Sequence, residues 1–467
     1  LQTSEFTALR HQLAEASLTV IRNEDKVLPI QNLEDSQIAY VSIGEDTGEF
    51  FFDRLQHYTY VDQQTLTEIL STENDYSHVI VGLHQPDHSP FIKHKLSKDV
   101  IAKLNLLCQK FNVILVTFAN PYSVSKLPLE KCKSIVLAYQ NDPIFQSKAG
   151  QLVFGGIGAN ANLPVSVGNY PQGSGIDIAP LGRLSYGHPK QVGMDNKLLE
   201  TIDLMATKAI SDSIAPGMQI LVAKSGKVIY HKSFGYMRYS KLSPIQWFHR
   251  YDLASLTKIL ASVPLAMLEH ERDSLFLLTP ISKLLDGYEK SNKADMNFQA
   301  LFSHHAGIQP WLPFYKNTLS KKTNRPQKKL YRAKQKRKHT VQVSEDLFLR
   351  TTYLDQIKDE ILDSPLLDSL YYKYSDLPFY MFKEYIEGRY NKRMDQLVED
   401  EFYAPLGAYH LGYLPLQEVD VNLVAPSEID DYYRNSEVQG FVHDMGAAMQ
   451  NGVGGHAGLF SNANDVA

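Results

Sequence analysis

Four short, nearly continuous aliphatic runs set the strongest constraint on how this chain can fold: IAYVSIG (38–44), HVIVGLH (78–84), NVILVTFANP (112–121) and SIVLAYQND (134–142). They do not alternate apolar with polar residues, so both faces of each strand must be covered. KDVIAKLNLLCQKF, between the second and third, has the apolar spacing of a helix, and an amphipathic stretch, FTALRHQLAEASLTVI, precedes the first. Strands of this kind separated by helices predict a mainly parallel sheet, hence an α/β layer domain over residues 1–172. No run approaches the roughly 18 residues of a transmembrane helix.

At 467 residues the chain is long enough for two or three domains. The stretch 169–193 is rich in Gly and Pro and has no periodicity, which predicts an extended linker, placed at 173–193. A second domain, 194–467, opens on the amphipathic helix MDNKLLETIDLMATKAI (194–210). GMQILVAKSGKVIYHKSFGYM then reads as two strands joined at Ser225-Gly226. Helices and long loops are expected from there, with further strands near or beyond the C-terminal end.

A composition of 43% hydrophobic and 21% charged residues with a net charge of −5 gives no reason to expect nucleic acid as a partner. The local exception is KKTNRPQKKLYRAKQKRK (321–338), more than half Lys and Arg. It is expected to be a solvated surface insertion, with contact to an anionic polymer as the alternative. Cys108 and Cys132 have no metal-ligand spacing and are read as buried free thiols. Gly156-Ile-Gly158 lacks the third glycine of a dinucleotide fingerprint, so no cofactor is expected, and no metal.

Chemistry enters at YDLASLTKIL (251–260). Ser-x-x-Lys is a short pattern, and SVSK (123–126) matches it too; there Pro128 disfavours a helix, and the match reads as a loop. ASLTKILASVPLAMLEHE, by contrast, has helical periodicity with Ser255 in its first turn, so Ser255 and Lys258 share a face. Backbone N–H groups are unpaired there, and the helix dipole favours developing negative charge. A serine hydroxyl needs a base, and a lysine can serve if it is neutral. Apolar burial and a nearby cation favour the neutral amine, and the surrounding Leu, Ile, Ala and Val are expected to supply the burial.

The residues around Ser255 closely resemble the nucleophile segment of the serine β-lactamase and penicillin-binding-protein superfamily, in its class C and esterase branch. LFSHHAGI (301–308), YYKYSDLPFY (371–380) and GGHAGLFSNANDVA (454–467) are similar to further segments of that family, in family order. The resemblance covers 194–467 and implies a β-lactamase/transpeptidase-like α+β domain. It makes Ser255 the acyl-accepting nucleophile, Lys258 its base and Tyr374 the group that passes a proton to the leaving group. Asp376 takes a substrate-binding position where many members carry Asn; Asp occurs in esterase-like relatives. His456-Ala-Gly458 and His305-Ala-Gly307 both look like the family's His-x-Gly. The flanks of the first match a segment that comes before the motif strand, so that strand is expected past Ala467 and this domain is expected to be incomplete.

EASLTVIRNEDKVLPI (15–30), VTFANPYSV (116–124) and GGIGANANLPVSVG (155–168) resemble landmarks of the C-terminal α/β sandwich domain of family 3 glycoside hydrolases. The order of parts is similar to bacterial fusions of a β-N-acetylglucosaminidase-like barrel, this sandwich and a β-lactamase-like domain. Together the resemblances imply a periplasmic or cell-envelope hydrolase working through an acyl-serine on a peptidoglycan fragment, an ester or a β-lactam. The alternative they leave is a non-catalytic accessory region of a family 3 β-N-acetylglucosaminidase whose barrel lies upstream.

Overall fold

A computed structural model describes residues 3–44, 46–85, 97–125, 127–368 and 371–467. Helix α1 (Ser4–Ser17), capped by the Thr3 hydroxyl, stops short of the predicted amphipathic stretch, and β1 (Thr19–Asn23) takes over its end. The β-branched Thr19, Val20 and Ile21 gain more from a sheet than from another helical turn. Then follow β2 (Ile38–Gly44), α2 (Glu49–Gln56), β3 (Asp62–Gln64), α3 (Leu66–Ser71), β4 (His78–His84), α4 (Lys98–Lys110), β5 (Val113–Phe118), β6 (Ser134–Leu137) and α5 (Pro143–Val153).

All four aliphatic runs become strands. The sheet order is β1-β6-β5-β4-β2-β3, parallel from β6 to β3, with β1 antiparallel at one edge. Alternate residues enter two separate cores. Tyr40, Ile80, Ile114 and Val136 pack with Phe51 and Leu55 of α2 and Leu152 of α5. Val41, Val81, Leu115 and Ile135 pack with Ile69 of α3 and Leu104 and Leu107 of α4. Burial on both faces, worth roughly 1.5–3 kcal/mol for each such side chain, is why these strands show no polar alternation. Of the second Ser-x-x-Lys match, Pro121–Val124 form a short 3₁₀ turn, and Lys126 lies outside the described residues.

The predicted linker is not a free spacer. Arg183 donates to the carbonyls of Ile30 (2.8 Å), Phe154 (3.0 Å) and Gln31 (2.8 Å). Ser185–Tyr186 form β7, parallel to β9. Tyr186 N–H donates to the Gln151 side chain (2.8 Å), while its carbonyl accepts from Lys148 Nζ (3.0 Å). Composition registers Gly and Pro locally; it cannot register pairing with a strand forty residues on.

Helix α6 (Asn196–Ser211) and the hairpin β8 (Gly217–Lys224) and β9 (Lys227–Gly235) form as expected, with Ser225 (φ 53°) and Gly226 (φ 72°) at the turn. Beyond β10 (Tyr251–Asp252) come α7 (Val263–Arg272), α8 (Ile281–Leu284), α9 (Phe298–Phe302), α10 (Tyr353–Asp363) and α11 (Leu377–Tyr390), around one large apolar core. Short strands intervene earlier than expected. β11 (Tyr331–Arg332), β12 (Val341–Ser344) and β13 (Leu347–Leu349) make a small sheet that includes part of the basic stretch. Its Tyr331 is buried and shares a hydrogen bond with the Tyr433 hydroxyl (2.8 Å). β14 (Gly412–Tyr413), the hairpin β15 (Glu428–Asp430) and β16 (Ser436–Val438), and β17 (Leu459–Ser461) follow; β17 sits between β10 and β14. Among the described residues, no helix is long and apolar enough to cross a membrane.

Candidate active site

Ser255 owes its place to the β10–β17 pairing, which joins the two ends of the second region. Tyr251 and Asp252 lie opposite Ser461 and Phe460, and Leu253 N–H extends the ladder to Leu459 O (2.9 Å). Asp252 Oδ1 then accepts from Ala254 N–H (2.8 Å), and Ala254 turns the chain with φ +47°. Helical geometry begins at Leu256, one residue later than predicted, leaving Ser255 exposed on the turn just before it. Residues Lys258–Ser262 are π-helical, and Pro264 follows in α7. A proline there leaves a helix carbonyl without its donor. The Tyr403 hydroxyl instead bonds Leu260 O (2.8 Å).

The structure brings Ser255, Lys258 and Asp376 together. Lys258 is 4% exposed, as its apolar neighbourhood predicts. Its Nζ lies 2.9 Å from Ser255 Oγ, 3.2 Å from His456 O and 2.7 Å from Asp376 Oδ1. Three acceptors thus meet the three directions of an ammonium group. The charge placed beside Lys258 is the Asp376 carboxylate. Asp376, placed by sequence in a substrate-binding position, spends its carboxylate on Lys258.

Asp376 occupies the N-cap position of α11 without a side-chain capping bond, and its N–H donates to Pro310 O (3.0 Å). Ser375, 1% exposed, fixes the turn before it by donating to Gln309 O (2.6 Å) and accepting from Leu377 N–H (3.2 Å). Tyr374 is half-exposed beside this anchored turn. Its ring centre is 5.0 Å from Lys258 Nζ, and its hydroxyl has no hydrogen-bond partner among the described residues. α7 and α11, which carry the two halves of the set, are tied by Glu269, fully buried. It accepts from the hydroxyls of Tyr385 (2.8 Å) and Tyr390 (2.6 Å) and faces Arg389 Nε at 3.3 Å.

His304 was given no role by the sequence. Its ring lies 4.7 Å from that of Tyr374, and its Nδ1 accepts from Ser375 N–H (3.2 Å), which puts the proton of the neutral ring on Nε2. Partial burial, and secondarily the Lys258 charge, lower its pKa below the usual histidine value. The signal was present in SHHAGI, where two adjacent histidines precede a turn, but only the fold shows that the first faces Tyr374.

His456 contributes its carbonyl to Lys258, while its ring points into the core. Nε2 is 2.8 Å from Asp444 Oδ1, and the ring stacks on Tyr380 at 4.4 Å. Burial works to raise the Asp444 carboxyl, yet His456 and the Ala447 N–H outweigh it and hold that group well below the usual carboxylate range. On the other flank, the hydrogen bond to Asp252 (2.9 Å) raises the pKa of His443. His305 stays exposed, with Nδ1 on Ser303 O (2.7 Å).

The cleft over Ser255 measures about 530 Å³. Leu253, Leu256, Ile259, Val263, Phe302 and Phe379 form most of its wall, with His304 and Tyr374 at one side. A separate cleft of about 400 Å³ near Leu414, Leu416 and Phe441 contains none of Ser255, Lys258, Tyr374 and Asp376. Among the described residues, no His/Cys/Asp/Glu group has the arrangement of a metal site.

Comparison with known proteins matches residues 206–467 to the family model described as Beta-lactamase. A putative D-alanyl-D-alanine carboxypeptidase of Salmonella gallinarum is 28% identical over 312 residues, covering 61% of this chain and 66% of the relative. Its counterpart in Escherichia coli O157:H7 is 25% identical over 323 residues, covering 62% and 67%. The chain therefore spans about two thirds of the length of the curated relatives it matches. Among solved structures, EstCE1, a hydrolase with promiscuous acyltransferase activity, aligns at 19% identity over 58% of this chain and 70% of its own, with a TM-score of 0.42. The family match takes in more than half of the residues, including Ser255, Lys258, Tyr374 and Asp376, and the chain belongs to the beta-lactamase family.

Proposed function

We propose that this chain carries an acyl-transfer centre in which Ser255 is the nucleophile and Lys258 its base. The observation that carries the reading is the 2.9 Å contact between Lys258 Nζ and Ser255 Oγ at the floor of an open cleft. Once its Nζ holds a free pair, Lys258 takes the Ser255 proton as Oγ adds to a carbonyl carbon. The tetrahedral adduct collapses, the bond to the leaving group breaks, and that group departs with the serine proton, returned by Lys258 directly or relayed through the Tyr374 hydroxyl, which takes a proton from Lys258 as it gives up its own. Water then attacks the acyl-Ser255 ester and restores the serine.

The substrate class is an ester, a β-lactam or a peptidoglycan peptide, and the apolar cleft wall favours carbonyl compounds with an apolar acyl part. With a chromogenic ester and a chromogenic β-lactam, the expected result is a burst of product equal to the protein concentration, then slower turnover. Ser255→Ala is expected to show neither. A burst that survives this substitution would remove Ser255 from the reaction.

We further read the sheet of residues 19–137 as the sandwich domain of a family 3 glycosidase assembly, on the strength of the segments 15–30, 116–124 and 155–168 alone. In that setting the substrate and the location would be those of the cell wall and the envelope. One feature favours an additional wall-binding role: no Lys or Arg of 321–338 forms an ion pair among the described residues, and all of them are exposed. Because Tyr331 is part of the core, charge reversal is a cleaner test than deletion. Replacing Lys321, Lys322, Lys328 and Lys329 by Glu is expected to abolish salt-sensitive retention on isolated cell walls without changing the burst. Unchanged retention would reject this role.

A further inference from the structure

Cys108 and Cys132 are 24 residues apart in sequence, yet their sulfur atoms lie 3.1 Å from each other. Cys108 is on the last turn of α4, and Cys132 sits in the segment that enters β6. Both pack against the core between α4 and the sheet, near Leu104, Leu107 and Leu129. The backbone on the Cys132 side is fixed from the sheet edge, since Cys132 O accepts from Arg22 Nε at 2.8 Å. The separation exceeds a sulfur–sulfur bond by only about 1 Å, a gap that side-chain rotation can close.

We propose that Cys108 and Cys132 are a redox modification site, at which exchange with a low-molecular-weight disulfide joins α4 covalently to the entry of β6. Accessibility sets the order of events. Cys132 has no exposed surface, whereas Cys108 is partly exposed and can meet a reagent from solvent. The hydrogen bond shared with Cys132 lowers the Cys108 pKa; burial opposes this and Lys131 adds to it. The same contact, followed by burial, raises the pKa of Cys132 well above that of a free thiol. Cys108 is therefore the attacking thiolate.

In the first step Cys108 Sγ displaces one thiolate from the reagent RSSR, forming Cys108–S–S–R. In the second, Cys132 gives up its proton and attacks Cys108 Sγ, releasing the other thiolate. Two protein thiols and RSSR become one protein disulfide and two RSH. The site is independent of Ser255. It would ordinarily be closed where thiols are oxidised, and it would restrain the 108–132 loop in the unfolded chain.

Its test is chemical. Reduced wild-type protein, held folded with excess oxidised glutathione, is trapped with iodoacetamide and digested without reduction. The expected product is the Cys108 peptide linked to the Cys132 peptide, two hydrogens lighter than the pair. Two separately alkylated peptides, or glutathione that stays on Cys108, would overturn the proposal. Cys132→Ser is expected to stop at the glutathione adduct on Cys108, and Cys108→Ser to take up none in the folded state. An adduct on Cys132 in the latter protein would contradict the order of attack.

Discussion

Lys258→Ala protein is expected to acylate at Ser255 about 10²–10⁴-fold more slowly than the wild type, the usual contribution of a positioned base. The substitution removes the group within 2.9 Å of Ser255 Oγ. Another general base would have to occupy the same place to compensate. The hydrogen-bond geometry offers none: the Tyr374 ring lies tilted against His304, its hydroxyl has no hydrogen-bond partner among the described residues, and the His456 ring is turned toward Asp444. Lys258→Arg separates chemistry from packing. A guanidinium keeps the charge opposite Asp376 but does not surrender its proton in a protein. It is expected to be as slow as the alanine variant while remaining folded. Stopped-flow acylation with a chromogenic β-lactam measures both. An Arg variant close to wild-type rate would mean that Lys258 supplies charge and not base catalysis.

The second large effect is on stability. In Asp376→Ala the buried Lys258 side chain loses its carboxylate partner at 2.7 Å, and removing one member of such a pair costs about 3–5 kcal/mol. Asp376→Asn keeps an oxygen acceptor in place and is expected to lose about half as much or less. Thermal unfolding of the two variants should rank wild type, Asn, Ala. Equal stability of all three would show that the ion pair contributes nothing. The comparison also bears on function, since the resemblance implies Asn at this position in related sequences. Acylation by the Asn variant is expected to stay within about tenfold of wild type, because the serine–lysine contact does not depend on the charge of Asp376.

The α/β sheet was legible because its strands are buried on both faces, which leaves a composition that no surface strand shares. The hairpin turn was equally plain in Ser225-Gly226, since both residues must take positive φ. β1 was not, because Thr19–Asn23 continue the apolar spacing of α1 and only pairing with β6 decides their state. The linker misled for a related reason: Ser185–Tyr186 gain order from β9 and α5, both distant or polar contacts that local composition does not report.

At the site, the local half was readable and the long-range half was not. Ser255 and Lys258 are three residues apart, so a single turn of chain entering the helix places them together. The role of Asp376 as the partner of Lys258 depends on α11 folding back over α7. His456 stands in a His-x-Gly sequence, yet its backbone carbonyl is what reaches Lys258. His304 became visible only when Ser375 fixed its ring. Each of these contacts spans more than fifty residues, beyond the reach of any periodicity.

The most direct test of the account is the mass of the Ser255 peptide after the full-length protein is treated with a labelled penicillin or a fluorophosphonate. One label per chain, located on Ser255 and absent from Ser255→Ala protein, is the predicted result. No label on that peptide, or labelling that persists after the substitution, would contradict the claim that Ser255 is an activated nucleophile.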